Sequence, residues 1–202
     1  RLVYGDLANV TTITAITPVT STGFFTNYSA LNYESALLMI YHQSMIASSQ
    51  EYRDYRVSEG YNAHLIDVNQ LYLQFGGGVN KHIIGIRRFA QYAYDNATNK
   101  PVGLFLMGKG VSNSLTRSSS ANSQANLIPT WGVPASDVFI TSNLPGTTMW
   151  SPLIPTGRIS VNTDEGLRNY LDKIQDFDAH QNQNDVYNFA SKDWQKHAIH
   201  LI

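Results

Sequence analysis

The apolar positions of this chain fall into two textures. Short, mostly apolar runs stand at Leu37-Leu38-Met39-Ile40-Tyr41, Ala63-His64-Leu65-Ile66-Asp67-Val68 and Val102-Gly103-Leu104-Phe105-Leu106-Met107, each bounded by polar or turn residues. Runs of this length with little alternation predict strands buried on both faces. The stretches between them read as helix. Ala47 to Ser58 is rich in helix-forming and polar residues, with Tyr52, Tyr55 and Val57 offered to a packed face and Gly60 placed to end it. Residues 80–96 are clearer: Ile83, Ile86, Ala90 and Ala93 recur at spacings of three or four, joined by Phe89, while Lys81, Arg87, Arg88 and Gln91 supply the polar side. Parallel neighbours need crossover helices, and those helices cover the sheet. The order strand, helix, strand, helix, strand therefore predicts an α/β fold: a doubly wound, flavodoxin-like three-layer sandwich whose first three strands are adjacent and parallel. Ile83, Ile86, Phe89, Ala90 and Ala93 should face the sheet, and Arg88 and Gln91 the solvent.

The flanks differ in texture. Before the first run, Val10, Ile13, Ile16 and Val19 are spaced among threonines and Phe24-Phe25 follows a glycine, which reads as strand and loop. Gly76-Gly77-Gly78 reads as a loop. Between Gly108 and Ile128 lies a Ser/Asn/Gln-rich stretch, followed by Pro129, Pro134, Pro145, Pro152 and Pro155 in a long irregular region of the kind that tends to be functional. Thr163-Asp164-Glu165 then looks like a helix start with acids in its first turn, and Leu167, Tyr170, Leu171, Ile174 and Phe177 form its apolar stripe. Ala198 to Ile202 reads as a strand just beginning. Three regions result: residues 1–35, the tail of a β-rich region; residues 36–162, an α/β subdomain; and residues 163–202, the start of a second subdomain. Arg1 stands where an initiator Met would, and the last apolar run stops at Ile202, so both ends are expected to continue in a longer protein.

Composition narrows the partners. Charged residues make up only 14%, against about 25% for an ordinary soluble domain, with Ser, Thr, Asn, Gln and Tyr in their place, a balance suited to a secreted or cell-surface protein. Fourteen Lys and Arg against fifteen Asp and Glu give a net charge of −1, so the electrostatic footprint of a nucleic-acid or anionic-membrane binder is missing. No apolar run approaches the roughly 20 residues of a membrane span. The chain has no cysteine, which removes disulfides, thiolate metal sites and a thiol nucleophile.

Candidate chemistry is sparse. Gly108-Lys109-Gly110 follows a strand, but a phosphate loop needs Ser or Thr after the lysine and then a helix, so a strand-end turn is the better reading. The glycine triplet lacks the dinucleotide spacing. The histidines at 42, 64, 82, 180, 197 and 200 form no zinc-hydrolase motif, and no serine sits in a Gly-x-Ser-x-Gly elbow. Asp137 and Asp185 are isolated loop or loop-edge acids; Asp137 is the candidate for a calcium ion, although one carboxylate proves little and a capping or turn role is the better reading for such residues. Sequons begin at Asn9, Asn27 and Asn96.

An ordered series of short motifs goes further. Tyr55-Arg56-Val57-Ser58-Glu59-Gly60-Tyr61 precedes the second run, and Asp67-Val68-Asn69-Gln70-Leu71-Tyr72-Leu73-Gln74-Phe75-Gly76-Gly77-Gly78 leads to Ile86-Arg87-Arg88-Phe89. Leu104-Phe105-Leu106-Met107-Gly108, Ile128-Pro129-Thr130-Trp131 with Ser136-Asp137, and Pro155-Thr156-Gly157-Arg158-Ile159-Ser160-Val161 follow, ahead of a helix with Asp172-Lys173-Ile174. Over roughly residues 36–202 this series resembles the gingipain-type cysteine peptidases, of the caspase-like clan, which include the signal-cleaving sortase of the type IX (Por) secretion system. The resemblance implies a peptidase parent acting on secreted proteins or peptides, with this chain its amino-terminal, non-catalytic subdomain. It also implies that the catalytic His and Cys lie in the second subdomain, beyond Ile202, so none is expected here, and that the chain's own C-terminal subdomain is a partner. Lys109 departs from the family's usual Gly-Asp. That departure, with the Ser/Asn-rich loop, keeps a non-enzymatic surface or assembly module in view, and a small-molecule binder at the carboxyl edge of the strands is a third reading.

Overall fold

A computed structural model describes residues 23–147, 151–181 and 193. The chain divides into two compact units, residues 1–30 and 31–202. Within the first, the described residues include a 3-10 turn at Tyr28–Ala30. The strand-and-loop reading of residues 10–19, the final strand at 198–202, Asp185, His197 and His200 lie outside the described residues.

The second unit is built on strands β1 (Ala36–Tyr41), β2 (Asn62–Asp67), β3 (Gly103–Met107) and β4 (Thr156–Ile159). They form one four-stranded sheet in the order β2-β1-β3-β4, parallel throughout, with Leu37 opposite both Ala63 and Gly103, and Leu104 opposite Thr156. The three predicted strands are thus adjacent and parallel. β4 is an addition: four residues containing a glycine and an arginine carry too little apolar signal to read as strand. β2 lies at the sheet edge, which explains why only Ala63 and Ile66 are buried along it.

Helices α1 (Ile46–Ser58), α2 (Val68–Gln74) and α3 (Ile83–Asp95) fill the first two crossovers. Helices α4 (Asn113–Ser118), α5 (Ser120–Ala125) and α6 (Val138–Thr141) lie between β3 and β4, and α7 (Asp164–Gln181) follows β4. The sheet reverses its direction of growth at β1, and crossovers are right-handed, so α1 and α3 must cover opposite faces. Side-chain alternation agrees. Met39, Tyr41 and Met107 join Tyr52 of α1 and Leu167 and Leu171 of α7 in one cluster. Leu38, Ile40, Leu104 and Leu106, fully buried, alternate with these along the strands and so turn to the other face.

The face chosen for α3 is right in its apolar part: Ile83, Ile86, Phe89, Ala90 and Ala93 are all buried and Arg88 is exposed, while Gln91 is half-buried. Arg87, expected on the polar side, is instead half-buried, donating to the carbonyls of Phe139, Ser142 and Asn143 and resting over the Phe139 ring at 4.5 Å. Other expectations need correcting. Val57 of α1 and Phe177 of α7 are exposed rather than packed, since α1 turns Ser48, Ser49 and Tyr52 inward and α7 uses Leu167 and Leu171. Residues 68–74 are helix α2, nucleated by Asp67, whose carboxylate accepts from the amide of Asn69 at 2.9 Å. The Ser/Asn/Gln-rich stretch holds α4 and α5, the latter capped by Ser119. Gly85 allows α3 to cross α2 closely, because a Cβ there would lie 2.8 Å from the Leu71 carbonyl oxygen.

Candidate functional site at the carboxyl edge of the sheet

In an open parallel sheet, the loops after strands on either side of the reversal point diverge and leave a crevice at the carboxyl edge. Here the reversal falls between β1 and β3, so the edge is furnished by His42, Asp67 and Gly108-Lys109-Gly110, the first residues past or last residues of their strands.

His42 and Asp67 are committed to local caps. His42 Nδ1 accepts from the Ser44 amide at 3.2 Å, so Nδ1 is the unprotonated nitrogen of the neutral ring and the Ser44 hydroxyl, 2.8 Å away, donates to it. Burial lowers the His42 pKa, with Lys81 adding to the effect and Asp67 opposing it. Burial raises that of Asp67, against the amide of Asn69 and the charge of His42. The Tyr41 hydroxyl is pushed up to about 12, first by burial and then by Asp67.

A raised carboxyl pKa means that the folded state binds the proton more tightly than the unfolded one. Asp67 therefore contributes a loss of stability as pH rises from its unfolded value through its folded value, and the loss persists at neutral pH. Asparagine caps a helix as well as aspartate and carries no charge to desolvate. Asp67→Asn is expected to leave neutral-pH stability unchanged or raised, with any gain vanishing as pH falls below the ordinary aspartate range. Urea midpoints at several pH values check this; a stability loss confined to neutral pH would show that the carboxylate has a partner that needs its charge.

The edge is locked by Arg158, the third residue of β4. All five of its N–H groups are used. Nε and Nη2 donate to the two oxygens of Asp137, each at 2.8 Å; Nη1 donates to the carbonyls of Gly108 at 2.6 Å and Ile128 at 2.9 Å, and Nη2 also to that of Pro129 at 3.2 Å. With side-chain exposures of 12% and 23%, Arg158 and Asp137 form a shielded, forked ion pair. Asp137, the calcium candidate, thus has both oxygens bonded to an arginine. Among the described residues no group of three or more His, Cys, Asp or Glu could hold a metal ion.

The same hub accounts for Gly108-Lys109-Gly110. A Cβ on Gly110 would sit 3.1 Å from the Ile128 oxygen and 3.2 Å from the Arg158 guanidinium carbon, and one on Gly108 would meet Ile128 at 3.1 Å. The glycines let the turn pass close to the guanidinium, and Lys109 joins neighbouring segments through its backbone, donating to Val161 and accepting from Leu127 and Ile128. The remaining described histidines have local roles: His64 lies against the Asn32 carbonyl, His82 caps α3, and His180 contacts the Asp176 carbonyl. In the sequence Arg158 stands out only as part of a motif; the available signal is an arginine among apolar residues, which must find acceptors when folded.

A parallel sheet with helices on both faces, closed at its carboxyl edge by an arginine hub, defines an α/β domain. The model of peptidase family C25 matches residues 31–201, and the chain belongs to that family. Among solved structures, the chain is similar to dimeric latent PorU from Porphyromonas gingivalis, with a TM-score of 0.61 and 17% identity, covering 82% of this chain and 17% of that one. That likeness is one of fold, and this chain spans about a sixth of the PorU chain. No curated protein sequence matches. Among the described residues, no helix is long and apolar enough to cross a membrane.

Proposed function

We propose that this chain is the non-catalytic amino-terminal subdomain of a C25 cysteine peptidase that acts on secreted proteins at the cell surface. The observation that carries this reading is the family match over residues 31–201 in a chain without a cysteine. A thiol peptidase needs a cysteine nucleophile within hydrogen-bond reach of a histidine base. No thiolate can come from this chain, and the resemblance to the gingipain-type peptidases implies that the catalytic Cys and His belong to a second subdomain. The subdomain described here supplies a stiff carboxyl edge, fixed by Arg158, against which that partner and a polypeptide substrate are held.

A second reading is favoured by Lys109, which stands where the family usually has an aspartate: a surface or assembly module that keeps the fold and has lost the chemistry. One experiment separates the two. The 202-residue chain and a longer chain including the downstream region are incubated with a mixed peptide library and cleavage is read by mass spectrometry. The expected result is no cleavage by the first and cleavage by the second, sensitive to a thiol alkylator. Silence from a folded longer chain would favour the module, and reproducible cleavage by the short chain alone would overturn both.

A further inference from the structure

Lys81, His82 and Arg117 converge on a cleft of about 220 Å³ that Asn113, Pro129 and Trp131 also line. The cleft opens beside the first turn of α3, at the same carboxyl edge, and among the described residues no carboxylate lines it. Lys81 donates to the Ser123 carbonyl at 2.6 Å, and neither Lys81 nor Arg117 forms an ion pair among the described residues. Burial without a counter-charge lowers the Lys81 pKa. Lys81 is also held at a φ of 55°, a backbone region uncommon for a lysine, which points its side chain from the turn before α3. The cleft is therefore a cationic cavity whose described lining supplies no counter-charge.

We propose that this cleft binds the carboxylate side chain of an acidic residue in a polypeptide lying across the carboxyl edge, with Lys81 and Arg117 as its counter-charges. The volume is below the roughly 300 Å³ at which pockets for whole small molecules begin, so it suits one side chain rather than a nucleotide. Pro129 and the Trp131 ring, 46% exposed and stacked on Phe139 at 5.1 Å, give an apolar wall for the methylene stem and backbone of such a residue. The assignment rests on the reading that the parent handles polypeptides.

The test titrates the isotope-labelled chain with acetyl-Ala-Ala-Glu-Ala-Ala-amide, its Gln analogue, sodium acetate and sodium phosphate, following the Ile83 amide and the Trp131 indole N–H by NMR. The Glu peptide is expected to shift both signals saturably, more tightly than acetate, with no response to the Gln peptide. Arg117→Gln removes a charge-assisted hydrogen bond to the carboxylate and should weaken binding about tenfold. Arg117 is exposed, so that variant should keep its thermal midpoint; Lys81→Gln repeats the test should it not fold. Equal response to Glu and Gln peptides, unchanged binding in a folded charge variant, or saturation by phosphate with none by the Glu peptide would each overturn the assignment, the last leaving an inorganic-anion site. Cleavage of uncharged peptides by the longer chain is scored separately: if it persists while Glu binding fails, only the cleft assignment falls, and if binding holds without cleavage, only the peptidase reading falls.

Discussion

Replacing Arg158 with alanine is expected to lower the unfolding free energy by about 3–5 kcal/mol, the range for removing one partner of a buried ion pair. The size follows from what is left behind. Asp137 loses both donors, and the carbonyls of Gly108, Ile128 and Pro129 each lose one in a region shielded from water. The loop after β3 then keeps its backbone hydrogen bonds to the end of β4 and the residues just past it, Gly108 to Ile159 and Lys109 to Val161, while the segment before α6 loses its side-chain tie to β4. Arg158→Lys should recover only part of the loss, because an ammonium has three donors and no fork to match a carboxylate. Arg168, which pairs with Glu51 on the exposed faces of α7 and α1, is the control: its removal should change stability far less, since solvent screens that pair. Urea unfolding curves measure all three variants, and equal losses at Arg158 and Arg168 would show that the hub is no stronger than a surface ion pair.

The frame of the fold was legible because burial on two faces writes itself into sequence as unbroken apolar runs. β1 and β3 are flanked on both sides by other strands, and their residues at Leu38, Ile40, Leu104 and Leu106 had to be apolar whichever face they turned to. β4 escaped because Gly157 and Arg158 occupy half of it, and what holds them is tertiary: a sheet neighbour and a set of distant carbonyls. Helix α2 escaped for a similar reason. Asp67 looks like the end of a strand and is also the cap of the next element, with no loop between to mark the change. The two short helices at 113–125 bury no residue, so no apolar period announces them. The site divides in the same way. Motif order pointed to the family, but neither the Arg158 hub nor the gathering of Lys81 and Arg117, 36 positions apart in the chain, can be read from local pattern.

Phe89→Ala is expected to cost about 3–5 kcal/mol, the range for emptying a large aromatic from a packed core. Phe89 is fully buried on the inward face of α3, with Tyr33 at 6.3 Å and Phe75 at 5.5 Å between ring centroids, both edge-to-face. The hole would open between the helix, the residues before β1 and the end of α2, and Phe75 meets Tyr92 at 5.7 Å as well, so the ring cluster loses its centre rather than one edge. Collapse cannot refill it cheaply, because Gly85 already brings α3 against the backbone of α2. Phe89→Leu should cost less, by keeping most of the volume. Val57→Ala, at a half-exposed site on α1, should be neutral or slightly stabilising because alanine is the better helix former. Chemical denaturation with matched slopes measures the series. A loss below about 1 kcal/mol for Phe89→Ala, well under the usual cost of such a cavity, would mean that α3 is not the element on which this face of the sheet closes.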